Sequence, residues 1–232
     1  MTQKLTPAPS NLEETSAKGN RFALSGLGFA QLYRGLLAAL VIATSVPLNL
    51  SAQEEDLARA TFAGGCFWCM EPPYDKIEGV VETISGFSGG HVADPSYREV
   101  VAGGTGHLEV VQVVYDPAVV SYETLLNIYW RNVDPFQADG QFCDIGEAYR
   151  TAIFAHNDRQ AAAARDSRQA VDAMQLEPGS IDTRIIDFEA FYPAEDYHQN
   201  YYEKNPVRYN FYRWNCGRDD RLEELWGDAA DE

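Results

Sequence analysis

The stretch Leu108–Tyr115 constrains the fold more than any other part of the chain. At a period of two it presents Leu108, Val110, Gln112 and Val114 on one side and Glu109, Val111, Val113 and Tyr115 on the other. Both sides are mainly apolar, the pattern of a central strand covered on both faces. Glu109 then stands on an apolar face, where desolvation raises a carboxyl's hold on its proton. A carboxylate paired with Arg98 or Arg150 is the other reading of that position.

Around this strand the chain alternates. Residues 61–63 end a strand and 67–76 open a helix. Residues 80–87 form a strand closed by Gly89-Gly90, and 95–101 form a short helix before a glycine-rich loop at 103–106. Ser121 caps a helix running to about 133, with Tyr122, Leu125, Leu126, Tyr129 and Val133 on one stripe and Pro135 beyond its end. Residues 136–146 read as irregular. A strand at 149–155, an alanine-rich helix at 158–174, a strand at 181–188 and a tyrosine-rich helix at 195–204 follow. The tail, 215–232, carries Cys216 and a short amphipathic piece around Leu222, Leu225 and Trp226, with little other predicted structure. The alternation, with one hairpin-like pairing, predicts a single α+β domain over 53–232.

The first 52 residues differ in character. Residues 1–20 are polar; Arg34 then precedes an apolar run at 35–46, too short to span a bilayer comfortably, and Leu50-Ser51-Ala52 offers a cleavage site before Gln53. This is the pattern of a secretory signal, so the expectation is export, to a periplasm, with no stable membrane association once the segment is removed. An uncleaved anchor at 35–50, or a cytoplasmic protein with a later start, are the alternatives. With 18 Lys plus Arg against 35 Asp plus Glu, the net charge of -17 argues against nucleic acid or an anionic membrane surface as partner.

Chemistry concentrates in Gly64-Gly65-Cys66-Phe67-Trp68-Cys69-Met70-Glu71. A strand end, two glycines and a helix start place Cys66 at or near a helix N-terminus, where peptide N–H groups and the helix dipole favour a thiolate. Packing as a small hydrophobe is the ordinary role of a lone cysteine. Cys66 and Cys69 also form a Cys-x-x-Cys pair, suited to a thiol-disulfide oxidoreductase or to half a zinc site. A zinc site needs a second pair, and the remaining cysteines, Cys143 and Cys216, stand far apart in sequence. No metal or organic cofactor is expected.

Gly-Cys-Phe-Trp followed three residues later by Glu resembles the signature of A-type peptide methionine sulfoxide reductases. The resemblance continues through 94–100, Thr105-Gly106-His107-Leu108-Glu109, Tyr115-Asp116-Pro117, Tyr149-Arg150 and Tyr197-His198-Gln199, and covers a core of about 58–210. It implies a ferredoxin-like α/β sandwich with long coil additions. The activity it implies is reduction of methionine S-sulfoxide, free or in proteins, recycled by a thioredoxin-type dithiol. Cys66 would be the nucleophile and Glu109 the acid that protonates the departing oxygen. Tyr97 and Tyr149 match the tyrosines that hold the sulfoxide oxygen, Asp144 an aspartate that orders the site, and Phe67 and Trp68 the pocket for the substrate methyl group. With 13 tyrosines in the chain, most are packing or surface residues. His107 and His198 are expected to give supporting hydrogen bonds.

Two departures leave the recycling route open: Cys69 replaces the family's usual Gly, and Cys143 its usual Asn. The thiol that resolves the Cys66 sulfenic acid is then Cys216, Cys143 or Cys69. Cys216 ranks first, because it corresponds to the family's C-terminal recycling cysteine and lies in a tail read as mobile.

Overall fold

A computed structural model describes residues 57–177 and 179–227. The signal-like segment and its expected cut before Gln53 lie outside them. Six strands make the main sheet: β1 (Ala58–Ala63), β2 (Val80–Ser88), β3 (Leu108–Tyr115), β6 (Ala152–Ala155), β7 (Arg184–Asp187) and β8 (Phe191–Pro193), in the order β7-β6-β1-β3-β2-β8. Every pairing is antiparallel except β6 with β7. β4 (Gly140–Gln141) and β5 (Asp144–Ile145) form a separate small hairpin.

β3 is the strand that the alternation predicts, buried along its whole length. Its Val111, Val113 and Tyr115 face a core built with Met70 and Tyr74 of α1 (Phe67–Asp75) and the stripe Tyr122, Leu125, Leu126, Tyr129 of α3 (Tyr122–Arg131). α4 (Asp158–Ala173) and α7 (Arg218–Trp226) complete that layer through Ala164, Val171, Leu222, Leu225 and Trp226. Leu108 and Val110 face the other way, where Ala152 and Phe154 pack under Ile186, Phe188 and Phe191. The segment β1-α1-β2-β3-α3-β6, with spatial order β6-β1-β3-β2, is the ferredoxin-like sandwich, helices on one face and coil on the other.

Local chemistry sets the helix starts. Ser121 accepts the Thr124 N–H at 3.0 Å and Asn157 that of Gln160 at 3.0 Å, while Ser96 and Glu99 make a reciprocal capping box for α2 (Tyr97–Ala102). α1 contains Pro72 and Pro73, which cannot donate to the ladder; burial of Phe67, Cys69, Met70 and Tyr74 holds it instead of intrinsic propensity.

Four expectations change. Residues 136–146 are not wholly irregular, since Gly140 lets the chain close on Asp144 and build the β4–β5 hairpin. β8, three residues long, gives too short a pattern to read, yet it extends the sheet beside β2. The tyrosine-rich helix is confined to α5 (Tyr201–Lys204), because Asn200 takes a left-handed conformation just before it. Finally, the amphipathic piece expected around Leu222, Leu225 and Trp226 is α7, and a further helix precedes it. Pro206 opens α6 (Pro206–Asn215) from the first helical position, where a missing N–H costs nothing, and α7 follows directly.

Candidate active site

The site forms where β1 hands over to α1 and the end of β3 lies beneath. Gly65 turns the chain at φ +83°, and a Cβ there would lie 2.6 Å from the Cβ of Gln141, so only glycine fits. Cys66 follows as the residue capping α1 and Cys69 lies one turn on, its N–H bonded to the Cys66 carbonyl at 3.0 Å. Both thiols are free, in hydrogen-bonding contact, and only 6% and 2% exposed.

Glu109 enters from β3, 1% exposed, opposite Phe87 of β2. Its Oε2 accepts the backbone N–H of Phe67 at 3.1 Å, which fixes the carboxyl beneath the first turn of α1. Burial pushes its pKa well above the ordinary carboxylate range, against the smaller opposing effect of that hydrogen bond. Among the described residues no arginine pairs with it: Arg98 is exposed, and Arg150 pairs with Asp182 at 3.2 Å. Burial thus favours the protonated, acid form of Glu109.

Tyr97 and Tyr149 share a hydrogen bond and are raised by burial first and by the facing Glu109 next, Tyr97 to about 12. Both remain phenols able to donate. Asp144 is half-buried and accepts the hydroxyl of Tyr212; burial raises its pKa and Tyr212 partly offsets this. Phe67 is fully buried against Phe87 and Tyr97, with ring centroids 6.0 and 6.2 Å away. Trp68 is half-buried, stacks on Tyr201 at 3.7 Å and donates its indole N–H to His198 Nδ1 at 3.0 Å. Burial lowers the His198 pKa to about 4, so it is a neutral acceptor. His107 supports the neighbouring loop, taking the Gly90 N–H at 3.1 Å and meeting the Val92 carbonyl at 2.7 Å.

The thiols hold a correction. Burial pushes the Cys66 thiol up, and the hydrogen bond it gives to Cys69, with the Glu109 and Asp144 carboxyls nearby, adds to this. The helix end therefore does not make Cys66 a resting thiolate. The same hydrogen bond lowers Cys69 to about 6, with help from Arg218 and Arg213. Of the two thiols, Cys69 is the more acidic.

Cys143 and Cys216 are joined to each other, their Cα atoms 5.0 Å apart. That pairing is not among the Cys66 pairings expected, and Cys216 sits at a defined joint between α6 and α7 instead of in a mobile tail. Cys69, in turn, is hydrogen-bonded to Cys66 with both thiols free. Tyr212 and Arg218 are site residues that sequence reasoning misses. Tyr212 is one tyrosine among many. Arg218 lies in a charged run, yet it is 2% exposed and donates to the carbonyls of Gly64 at 3.2 Å and Asn132 at 2.6 Å.

Comparison with known proteins agrees with this geometry. Residues 58–230 match the family described as peptide methionine sulfoxide reductase. The chain is 47% identical over 181 residues to the peptide methionine sulfoxide reductase MsrA of Bacillus licheniformis, covering 78% of this chain and 99% of that one. It is 45% identical over 185 residues to the MsrA/MsrB protein of Vibrio cholerae, covering 80% of this chain but about half, 49%, of that longer protein. Its structure resembles methionine sulfoxide reductase A of Corynebacterium diphtheriae with a TM-score of 0.61 at 35% identity, over 67% of this chain and 78% of that one.

Proposed function

On the premise that the chain belongs to the peptide methionine sulfoxide reductase family, we propose that it reduces the S-epimer of methionine sulfoxide, free or in proteins, with Cys66 as nucleophile and Glu109 as acid. The observation that carries this reading is the convergence of the Cys66 thiol with a buried carboxyl that keeps its proton and a hydrogen-bonded tyrosine pair. A sulfoxide has a sulfur open to a soft nucleophile and an oxygen that must be protonated to leave. Tyr97 and Tyr149 donate to that oxygen, Phe67 and Trp68 receive the methyl group, and Asp144, through Tyr212, orders the outer wall. Cys66 passes its proton to the Cys69 thiolate as it attacks sulfur, Glu109 protonates oxygen, and methionine departs, leaving Cys66 as a sulfenic acid. Cys69, already in contact and the more acidic thiol, attacks that sulfur with loss of water and forms a Cys66–Cys69 disulfide. A thioredoxin-type dithiol returns the enzyme to its reduced form.

The test is an assay on separated sulfoxide epimers with dithiothreitol as reductant. Release of methionine from the S-epimer alone supports the reading; inactivity on both overturns it. The Cys66–Cys69 contact also suits a thiol-disulfide oxidoreductase, and reduction of insulin disulfides faster than of sulfoxide would favour that second reading. We further propose export, on the strength of the apolar run 35–46 and the Leu50-Ser51-Ala52 site. Fractionation should find a mature chain beginning near Gln53 outside the cytoplasm; a full-length cytoplasmic product would refute this.

A further inference from the structure

Glu71 is the member of the Gly-Cys-Phe-Trp…Glu stretch that the mechanism above leaves without a role. It stands on α1 three residues after Trp68, so the two side chains share one face of the helix. It is fully buried, and a carboxyl taken out of water is costly unless its contacts offset the loss.

Those contacts run to one short segment. Glu71 Oε1 accepts the hydroxyl of Ser85 on β2 at 2.8 Å. Gln199 clasps the backbone of the same Ser85, taking its N–H at 2.8 Å and giving a hydrogen bond to its carbonyl at 2.9 Å. Burial pushes the Glu71 pKa up to about 7, and the Ser85 hydroxyl and the N–H groups of Asn200 and Tyr201 act against that rise. Oε2 completes no hydrogen bond of ordinary geometry, so its attraction to those two N–H groups is electrostatic. Asn200 is left-handed, φ 51°, an uncommon conformation that its surroundings must hold. The segment held in this way grips Trp68 twice: His198 accepts its indole N–H at 3.0 Å, and Tyr201 stacks on the ring with planes 6° apart.

We propose that Glu71 is a positioning residue for the substrate pocket: by holding Ser85 and the 199–201 backbone it sets Trp68 against His198 and Tyr201, and so limits the size of the group on sulfur that the pocket accepts. The proposal rests on the reductase reading above, in which Trp68 receives the substrate methyl group. Glu71 itself touches no substrate atom.

The test compares the S-sulfoxides of methionine and ethionine, which differ by one methylene on sulfur, with dithiothreitol as reductant. The ratio of their kcat/KM values cancels any loss of folded protein. One methylene in a fitted pocket is worth about 10–200-fold, so wild type should prefer methionine sulfoxide by ~10-fold or more. Glu71→Gln keeps the side chain's size but weakens its hold on Ser85 and on the two N–H groups. It should raise KM for methionine sulfoxide with kcat nearly unchanged, because the pocket binds substrate and transition state alike. The preference should fall by about fivefold, a large part of what one methylene is worth. Ser85→Ala should move the preference the same way by a smaller factor. Ser167→Ala, which removes the remote acceptor of the Trp130 indole N–H, should lower Tm and leave the preference as it is. A wild type without the preference, an unchanged preference in Glu71→Gln, or a loss confined to kcat would overturn the assignment. So would an equal shift in Ser167→Ala; and if Glu71→Gln does not fold, an unchanged preference in Ser85→Ala decides against it. A wild type that reduces neither sulfoxide would overturn the reductase reading, and the pocket assignment with it.

Discussion

The floor of the site and its outer wall are built in different ways. The floor is Cys66 and Cys69 at the head of α1 and Glu109 on β3, adjoining elements of the central sandwich, every side chain buried. The wall is the β4–β5 hairpin and the α6–α7 corner, carrying Asp144, Cys143, Tyr212 and Cys216, half-buried or exposed and joined across 68 to 73 residues of chain by the disulfide and by hydrogen bonds that include Tyr212 to Asp144. Burial tunes the floor, raising the pKa of Glu109 and of Cys66. The wall is accessible and jointed. The difference suits the floor to the bond-making chemistry proposed for it and the wall to alignment.

Substitutions in the floor should therefore act on chemistry, and most strongly. Cys66→Ser should abolish turnover, because a hydroxyl is a poor nucleophile toward sulfur and is not ionised near neutral pH. Methionine release by that variant above the uncatalysed background would remove Cys66 from its role. Glu109→Gln should fold and bind substrate, yet lose about a hundredfold to ten-thousandfold in kcat. The sign of the pH effect follows from the raised pKa: the acid is active while protonated, so the wild-type rate falls as pH rises through that value. The Gln variant, having no proton to lose there, should show no such limb. A Gln variant with wild-type kcat near neutral pH would contradict the role of the floor.

The same division explains what could be read from the sequence. β3 and the stripe of α3 have strict periods, and the turn into α1 is marked by two glycines, so the α+β class and the inner residues Cys66 and Glu109 are visible in local pattern, while the sandwich and Phe67 follow from the family resemblance. The wall has no comparable signal. The Cys143–Cys216 bond and the Tyr212–Asp144 contact depend on where two distant segments meet, and neither segment has a period that states this. Arg218 misleads in the opposite direction: a charged run reads as solvated surface, whereas two carbonyls and the Met70 sulfur draw its guanidinium inside. The acidity of the thiols misleads too, since the helix-end argument ignores the burial that outweighs it at Cys66.

Tyr212→Phe probes the wall without touching a sulfur. It removes the donor to Asp144, an interaction that, between a hydroxyl and a carboxylate, is worth about 1.5–3 kcal/mol. Because Asp144 orders the site and does not touch the reacting bond in the proposed mechanism, the expected loss in kcat is at most about tenfold. Without Tyr212 the Asp144 pKa should rise further, moving any rate limb that follows it to higher pH. A loss as large as that of Glu109→Gln would show that floor and wall act as one unit.

The smallest effect on activity should come from Gly217→Ala, and its stability is best set against that of the same substitution at Gly65. Both glycines have positive φ, 83° and 67°, where an alanine Cβ costs about 1–2 kcal/mol. At Gly217 nothing lies within 4 Å of the added methyl group, so that backbone cost should be the whole of it and the rate should barely change. At Gly65 the new Cβ would stand 2.6 Å from the Gln141 Cβ. Gln141 cannot retreat freely: it takes the Asp134 N–H at 2.9 Å and gives hydrogen bonds to the carbonyls of Asp134 and Gly140 at 2.7 and 3.0 Å. Overpacking of this kind adds about 1–3 kcal/mol. Urea unfolding, with the outer disulfide kept oxidised in both variants and an unchanged slope, should rank Gly65→Ala clearly below Gly217→Ala. Equal midpoints would mean that the packed contact between the Gly65 turn and β4 yields as easily as the open joint at Gly217, and the contrast between a close-packed site and a jointed corner would fall.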